Sequence, residues 1–282
     1  MLLLELFEDD HPKRNAELKK AYQDAIYQDY ADDDIKADAF LTKHYSKLVV
    51  ALNKFASGDR IYRGVEDKKN FSAMVVDPTK AIRVAANTSN YTNMLVSSVL
   101  PSWKGWPPRN QALICTVRVS IAQSYGGYHS SGPHVVLPFG DPVIGVCSNS
   151  DFWESFSDGI YPPELNDFIE RLSAYTLQRK INTSTPEALA ADLKQMGEIS
   201  KSEPYILEYF SLWERNILNA PSLLEKLDAI LDPKASGFKM VNLSQLNGAG
   251  ANNEVWVSAP SLMVREGIVA NWLQRQQDEI KI

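Results

Sequence analysis

Prolines mark the starts of successive helices in the second half of this chain. Apolar residues recur at helical spacing through residues 161–232, and the prolines near the predicted helix starts are Pro162, Pro186, Pro204 and Pro221. Proline is favoured in the first helical turn because its missing N–H would have no intrahelical partner there. Strand-like runs flank this block at 112–147 and at 240–264. The pattern therefore predicts a set of strands that is interrupted by about 70 residues of helix.

The N-terminal part of the chain shows a second helical pattern. Apolar side chains recur at helical spacing through residues 12–31 and 34–57, and Gly58 is placed to end the second helix in a left-handed conformation. A short β-type run follows at Arg60–Val65. We therefore predict an α+β protein with N-terminal helices and a mostly antiparallel sheet core that carries a helical insertion.

This order of elements divides the chain into four stretches. They are an N-terminal helical segment, the first part of the α+β core, a helical insertion or subdomain, and the last core strands with a C-terminal tail. Their bounds are 1–58, 59–154, 155–236 and 237–282. Within the core, strands are predicted at 112–121, 134–138, 143–147, 240–243, 254–257 and 262–264.

Composition limits the kinds of partner. The chain has 282 residues, of which 44% are hydrophobic and 23% charged, as expected of a soluble globular protein. Its net charge of −6 argues against broad binding to nucleic-acid backbones, which needs a basic surface. No run approaches the ~20 apolar residues of a membrane span, and the acidic N-terminus is unlike a secretory signal. We therefore expect a soluble, cytoplasmic protein with no membrane partner.

The cysteines and histidines give no metal-binding pattern. Cys115 and Cys147 both stand in apolar, strand-like runs, which predicts two buried free thiols and no disulfide framework. The four histidines are scattered without ligand spacing, at His11, His44, His129 and His134. We therefore expect no catalytic metal.

Two short segments far apart each place one charge in an apolar β-type run. Arg63 lies within Ile61–Val65, and Glu254 opens Glu254–Val257 after a loop rich in glycine and asparagine. A buried charge is costly unless it is paired or used. The arginine could hold a phosphate or ribose, and the carboxylate could stabilise positive charge at an anomeric carbon. The structural alternatives are an arginine paired with a surface acid and a solvent-facing hairpin glutamate.

In this order, the two segments resemble the first and last motifs of the arginine–serine–glutamate class of ADP-ribosyltransferases, which split NAD at its glycosidic bond. The resemblance covers residues 60–150 and 238–266. It implies a split-sheet ADP-ribosyltransferase-like core in which Arg63 positions NAD and Glu254 is catalytic. Arg60 is the weaker candidate for the arginine.

The resemblance also assigns the family's middle Ser-Thr-Ser motif. Thr88 and Ser89 match its second and third hydroxyls, and Asn87 stands in place of the first. It implies that Ser89 takes part in catalysis and that both hydroxyls bind the nicotinamide end of NAD or orient Glu254. A turn of Asn, Ser and Thr with local capping bonds is the structural alternative.

Two further positions complete the implied NAD site. Arg83 would add a second cation to the pocket. Asn252, two residues before Glu254, stands where arginine-modifying members carry Glu and several others carry Gln. Asn252 can orient an acceptor by hydrogen bonding, but it cannot act as a general base. The helical block at 155–235 would then recognise the acceptor.

The resemblance thus implies a mono-ADP-ribosyltransferase that transfers ADP-ribose from NAD to a host or partner protein, with slow NAD hydrolysis when no acceptor is bound. By association, it also implies a bacteriophage or bacterial effector that acts in the host cytoplasm. The alternative class is a non-catalytic phage structural or interaction protein, in which the tryptophans, prolines and helical block serve assembly. A third possibility is another glycosidase-type or nucleotide hydrolase that uses the same Glu254.

The segment Pro101–Asn110 is unusual in composition, with two tryptophans, three prolines, a lysine and an arginine. Its aromatic rings and its cations Lys104 and Arg109 could stack a nicotinamide or adenine ring and meet a pyrophosphate. The alternative is a rigid loop that caps the sheet core.

Overall fold

The computed structural model describes residues 20–65, 71–83, 90–126, 133–156, 162–247 and 253–280. Within these ranges, nine strands form one open antiparallel sheet in the order β1-β3-β9-β5-β2-β4-β8-β6-β7. Their bounds are β1 Tyr27–Ala31, β2 Tyr62–Arg63, β3 Ala73–Val76, β4 Leu113–Thr116, β5 His134–Pro138, β6 Val143–Val146, β7 Lys239–Asn242, β8 Glu254–Val257 and β9 Ser261–Arg265. The prediction of a mixed protein with a mostly antiparallel sheet is confirmed.

The described residues also form nine α-helices. Their bounds are α1 at 20–26, α2 Asp34–Ser57, α3 Asn90–Met94, α4 Val119–Gly126, α5 Pro162–Thr176, α6 Pro186–Ser202, α7 Leu212–Leu218, α8 Leu223–Ile230 and α9 Glu266–Ile280. A π-helical turn at Leu95–Val99 continues α3, and a 3₁₀ helix at Pro204–Tyr209 follows α6. None of the helices in the described ranges is long and apolar enough to cross a membrane.

The chain divides into two compact units. The described residues of the sheet unit are 20–65, 71–83, 111–126, 133–152, 238–247 and 253–280. Those of the helical unit are 90–110, 153–156 and 162–237. Residues 20–57 fall in the sheet unit and residues 90–110 in the helical unit.

Helix α2 agrees with its sequence pattern at both ends. The Asp33 carboxylate caps the start by accepting from the Lys36 N–H at 2.7 Å. Gly58 ends the helix with φ of 93°, a conformation that glycine adopts without a steric penalty. One face of α2 is buried, and its buried residues are Ala37, Leu41, Leu48, Ala51, Leu52 and Phe55.

Two predicted elements are wrong: a helix that is partly replaced by a strand, and a strand that ends earlier than predicted. The helix predicted over 12–31 gives way at Tyr27 to β1, because residues 27–31 pair with β3. The strand predicted over 112–121 ends at Thr116. There the Thr116 hydroxyl accepts from the Arg118 N–H at 3.1 Å, and this local bond turns the chain out of the sheet and towards α4.

A single glycine lets the largest aromatic side chain of the sheet lie flat. Trp256 on β8 is fully buried and crosses Gly145 on β6. A Cβ built on Gly145 would lie 2.0 Å from Cε2 of the indole. Phe152 and Phe238 pack around the same indole, with ring centroids 6.1 and 6.2 Å from it. The absence of a side chain at Gly145 therefore provides the space in which the indole of this aromatic cluster packs.

The tryptophan-rich segment Pro101–Asn110 lies in the helical unit. Trp103 is buried, and its indole N–H donates to the Leu231 carbonyl at 2.8 Å. Arg109 is also buried and donates to the Asn93 side chain at 2.9 Å. These two bonds give the segment a structural role within the helical unit.

Candidate functional site

Strands β2, β4 and β8 are neighbours at the centre of the sheet. Tyr62 pairs with Thr116, and Thr116 pairs in turn with Glu254. Neighbouring strands lie about 4.8 Å apart, so the backbones of β2 and β8 lie roughly 10 Å apart at this level. Arg63 follows Tyr62 directly. The fold thus brings Arg63 and Glu254 to the same level of the sheet, two strands apart.

Glu254 is the first residue of β8 and has a fixed backbone. Its N–H donates to the Asn149 carbonyl at 3.2 Å, and its carbonyl accepts from the Cys147 N–H at 2.9 Å. The residue is only 6% exposed, and the Cys147 thiol lies 3.9 Å from its Oε1. The alternative of a solvent-facing hairpin glutamate is therefore wrong. A buried carboxylate held at a strand start can meet a developing positive charge with little reorganisation.

Arg63 is the last residue of β2 and is partly exposed. Its Nη1 donates to the backbone carbonyl of Ile114 at 2.6 Å. That partner is neutral, so this bond orients the guanidinium without cancelling its charge. The orientation suits a group that meets an anionic ligand.

Arg60, the weaker candidate, is occupied by packing and pairing. Its Nη1 forms an ion pair with Glu266, and its Nε donates to the Phe55 carbonyl at 3.3 Å. The guanidinium also lies over the Phe55 ring, 4.3 Å from the centroid. These contacts join the end of α2 to the start of α9. Arg60 therefore has a structural role, which leaves Arg63 as the candidate ligand-binding arginine.

Cys115 on β4 lies among the charged candidates. Burial raises the pKa of its thiol to about 12, so the thiol is neutral at physiological pH and is a poor nucleophile. Arg63 and Arg83 oppose the shift, whereas Glu254 adds to it. All three charged side chains therefore act electrostatically on one buried atom. Both cysteines are free and buried, as predicted.

Strand alternation decides which face of the sheet each side chain takes. Thr116 and Glu254 stand directly opposite each other and share a face. Cys115 therefore lies on the other face. Tyr62 pairs with Thr116 and shares its face, so the next residue, Arg63, lies on the same face as Cys115. The two candidate charges therefore share a level of the sheet but lie on its opposite faces.

Arg83, predicted as a second cation, acts electrostatically on Tyr22 and Cys115, as Arg63 does. Both arginines lower the pKa of Tyr22, although burial of that phenol is the larger effect and raises it. The remaining predicted positions lie outside the described residues, and they are Asn87, Thr88, Ser89 and Asn252.

The sequence reading missed Thr116 and Tyr22. Thr116 is a buried hydroxyl between the strands of the two candidate charges, and Tyr22 is a buried phenol whose pKa is lowered by both arginines against the larger effect of burial. The run Leu113–Thr116 is recognisable as a strand, but its register against β2 and β8 is set by contacts remote in sequence. Tyr22 fits the apolar pattern of α1, and that pattern alone assigns it to the core.

A small depression of about 10 Å³ lies beside α2. It is lined by residues such as Lys54, Arg60 and Leu243, but not by Arg63 or Glu254. In the part of the chain that the structure describes, no three His, Cys, Asp or Glu side chains group to hold a metal ion.

No family model, curated protein or solved structure matches this chain.

Proposed function

We propose that this protein is a mono-ADP-ribosyltransferase that transfers ADP-ribose from NAD to a protein acceptor. The observation that supports the proposal is the placement of Arg63 and Glu254 two strands apart at one level of the central sheet. The pair is far apart in sequence, and both side chains, together with a second arginine, Arg83, act electrostatically on the Cys115 thiol. One carboxylate and two guanidiniums suit a substrate with an anionic diphosphate and a cleavable glycosidic bond.

Each side chain has a separate role in this reaction. Arg63 and Arg83 hold the diphosphate through charge-assisted hydrogen bonds. Glu254 stabilises the positive charge that develops at the anomeric carbon. Thr88, Ser89 and Asn252 take the supporting roles that the family resemblance implies.

The bond changes balance without a further reactant. The bond between the anomeric carbon and nicotinamide breaks, and its electron pair goes to the nicotinamide nitrogen. A nucleophile of the acceptor then forms the new bond to the anomeric carbon and gives its proton to solvent. Water in the place of the acceptor yields free ADP-ribose and nicotinamide.

The faces of the sheet impose one requirement on this proposal. Arg63 lies on the same face as Cys115, whereas Glu254 lies on the same face as Thr116. A dinucleotide that contacts both Arg63 and Glu254 must therefore pass from one face of the sheet to the other.

We also propose the setting in which the reaction takes place. The acceptor is a host or partner protein, recognised by the helical unit. The site of action is the cytoplasm, and the biological type is a bacteriophage or bacterial effector.

Labelled NAD tests the proposal directly. Purified protein is incubated with cell lysate and NAD labelled in its adenylate part, and nicotinamide release is measured in parallel. We expect label on a discrete protein band. We also expect Glu254→Gln to lower turnover by about 10²–10³-fold, the scale seen when one transition-state contact is removed. Its melting temperature should stay close to that of the original protein.

The control is Glu279→Gln, which makes the same chemical change at an exposed position of α9. Turnover by this variant should be unchanged. Full turnover by Glu254→Gln, or neither label transfer nor nicotinamide release by the original protein, would contradict the proposal.

A second candidate function is a non-catalytic interaction protein, in line with the phage structural alternative. The observation that favours it is the separation of Arg63 and Glu254 onto opposite faces of the sheet. Under this alternative, the original protein shows no NAD turnover, and Glu254→Gln lowers the melting temperature because it disturbs a buried structural group.

A further inference from the structure

The helical unit exposes its large hydrophobic side chains in one place. Among the residues of this unit that the structure describes, the exposed ones are Tyr205 at 56%, Tyr209 at 55% and Leu212 at 77%. All three lie in one stretch, formed by the 3₁₀ helix Pro204–Tyr209 and the start of α7. Single exposed apolar residues are common on proteins, whereas a group of them marks an interaction site. We call these three residues the apolar surface.

The apolar surface is held in place by bonds within the helical unit. The Tyr209 ring stacks on the ring of Tyr175, with centroids 4.7 Å apart and planes 18° apart. The Ser211 N–H donates to the Glu214 carboxylate at 2.6 Å, which fixes the start of α7 and so the position of Leu212. Side chains that are already ordered lose less conformational entropy when a partner binds.

The exposed charges of this stretch are negative. Residues 203–212 contain two acids, Glu203 and Glu208, and no lysine or arginine. Both acids are exposed. Glu203 accepts from the Tyr205 hydroxyl at 2.5 Å. The Glu208 carboxylate has neither a hydrogen bond nor an ion pair with any residue that the structure describes, so its charge is available to a partner.

Two arginines contact the stretch from outside without reversing its charge. Arg171 forms ion pairs with Asp167 and Glu214, which neutralise it. Arg215 directs its Nε at the Phe210 carbonyl, 2.8 Å away. Together with the two acids of the stretch, four carboxylates stand against two guanidiniums. The surroundings of the apolar surface therefore carry a net negative charge.

We infer that the apolar surface docks a segment of a partner protein in which apolar side chains stand beside lysine or arginine. Apolar contact at the centre and opposite charge at the rim are what such a segment supplies. A symmetric contact with a second copy joins identical patches and would set the acidic rim against itself. An anionic bilayer or a nucleic acid would be repelled by the same charge.

This inference deepens the proposed function and rests on it for one point, the role of the docked partner as the acceptor of ADP-ribose. The docking itself needs no NAD cleavage, because it uses only residues of the helical unit. It replaces the general statement that this unit recognises the acceptor by a defined surface and a defined chemistry.

Peptide binding tests the apolar surface on the full chain. The probe is a fluorescently labelled synthetic peptide in which lysine and leucine alternate, and fluorescence anisotropy measures its affinity. We expect this peptide to bind more tightly than two peptides of the same length, one with serine in place of leucine and one with glutamate in place of lysine. The first comparison tests the apolar contact, and the second tests the charge.

The double variant Tyr205→Ser/Leu212→Ser removes two side chains of the apolar surface. It should bind the lysine–leucine peptide about tenfold more weakly, the scale expected when central apolar contacts of an interface are lost. Its melting temperature should stay close to that of the original protein, because both side chains are more than half exposed. The matched control is Tyr30→Ser/Ile35→Ser in the sheet unit, where the two side chains are 62% and 84% exposed. This control should keep full peptide affinity.

Glu208→Gln tests the charge separately. It should weaken binding of the lysine–leucine peptide by about twofold to fivefold, the scale of an exposed ion pair, and added salt should reduce the difference. The control is Glu279→Gln, which makes the same change at an exposed position of α9 and should bind as the original protein does.

Four results would overturn the inference. They are no binding of the lysine–leucine peptide, equal binding of the lysine–serine peptide, unchanged affinity in Tyr205→Ser/Leu212→Ser, and self-association of the original protein that this variant abolishes. The last result, measured by light scattering, would assign the surface to a second copy.

The docking surface and the transferase fail separately. Peptide binding that depends on Tyr205 and Leu212, without NAD cleavage, supports the docking surface and contradicts the transferase. NAD cleavage with unchanged peptide affinity in the double variant does the reverse.

Discussion

At the scale of single residues, burial and backbone bonding set Glu254 apart from an ordinary strand glutamate. Its backbone is hydrogen-bonded to both Cys147 and Asn149, so the backbone position from which the carboxylate side chain extends is fixed. Thr116 lies beside it on the same face. A position of this kind resists substitution by larger side chains but accepts the nearly isosteric Gln, which removes the charge and keeps the volume. This is the physical reason for choosing Glu254→Gln to separate catalysis from stability.

A second residue-scale prediction concerns Gly145. Alanine at this position would place a Cβ 2.0 Å from the Trp256 indole, a distance that real Cβ atoms do not adopt. Because the indole is fully buried, the clash must be relieved by shifting packed neighbours. We expect Gly145→Ala to lower the free energy of unfolding by about 1–3 kcal/mol or more. Chemical denaturation monitored by tryptophan fluorescence measures this.

Gly267→Ala in α9 is the control for the same chemical change. A Cβ on Gly267 meets no atom within 4 Å, and alanine favours helix more than glycine. This variant should be as stable as the original protein or slightly more stable. Equal stability of Gly145→Ala and Gly267→Ala would show that Trp256 does not require the glycine.

At the scale of elements, the connection between α5 and α6 is held by one carboxylate. Asp192 on α6 is bonded to both Nη atoms of Arg179, at 2.7 and 2.6 Å, and accepts from the Asn182 N–H at 2.7 Å. The bond to Arg179 is the main cause that lowers the pKa of Asp192 below its ordinary value of 3.8, and burial opposes it. One ionised side chain thus fastens the residues that follow α5 to α6.

This geometry predicts a pH dependence of stability. Because the pKa of Asp192 is lower in the folded state, its contribution is complete above pH 3.8 and is lost as the pH falls through the folded-state pKa. We expect Asp192→Asn to melt below the original protein at pH 5–7, with a difference that narrows under pH 3.8. Thermal melts across this range measure it. A difference that is constant down to pH 2 would contradict the prediction.

The start of α2 gives another element-scale prediction. Asp33→Ala removes the acceptor for the Lys36 N–H and should lower the free energy of unfolding by about 1 kcal/mol. The control is Asp32→Ala, which removes only an exposed ion pair with Lys36 and should have a smaller effect. Urea denaturation distinguishes the two. Equal losses would indicate that the cap contributes nothing beyond charge.

Whether an element could be predicted depends on whether the residues that determine it are close together in the sequence. Helix α2 and the strand start at Glu254 depend on local signals, namely a cap, a glycine end and an alternating apolar run, and both were predictable. Strand β1 depends on pairing with β3, more than 40 residues later, whereas its local apolar spacing predicts a helix. The family resemblance implies that Arg63 and Glu254 belong to one NAD site, but the face that each takes depends on the register through β4, which no local pattern encodes.

At the scale of the whole molecule, each compact unit is built from separate stretches of sequence. The segment 90–110 lies between two stretches of the sheet unit, and its apolar composition is similar to theirs. Its assignment to the helical unit is fixed by contacts such as the bond from Trp103 to Leu231, which join residues far apart in the chain. For this reason no local pattern marks the unit boundary at 110, whereas prolines mark the helices at 162–230.

The position of β8 between β4 and β6 governs when this protein can become functional during its own synthesis. A ribosome completes both neighbouring strands more than a hundred residues before it adds the strand that joins them. Until then, the backbone N–H and C=O groups of β4 and β6 that pair with β8 remain unpaired. Such strand edges can associate with other nascent chains. Any activity that depends on Glu254 is therefore withheld from the growing polypeptide and begins only after its last strands have been translated.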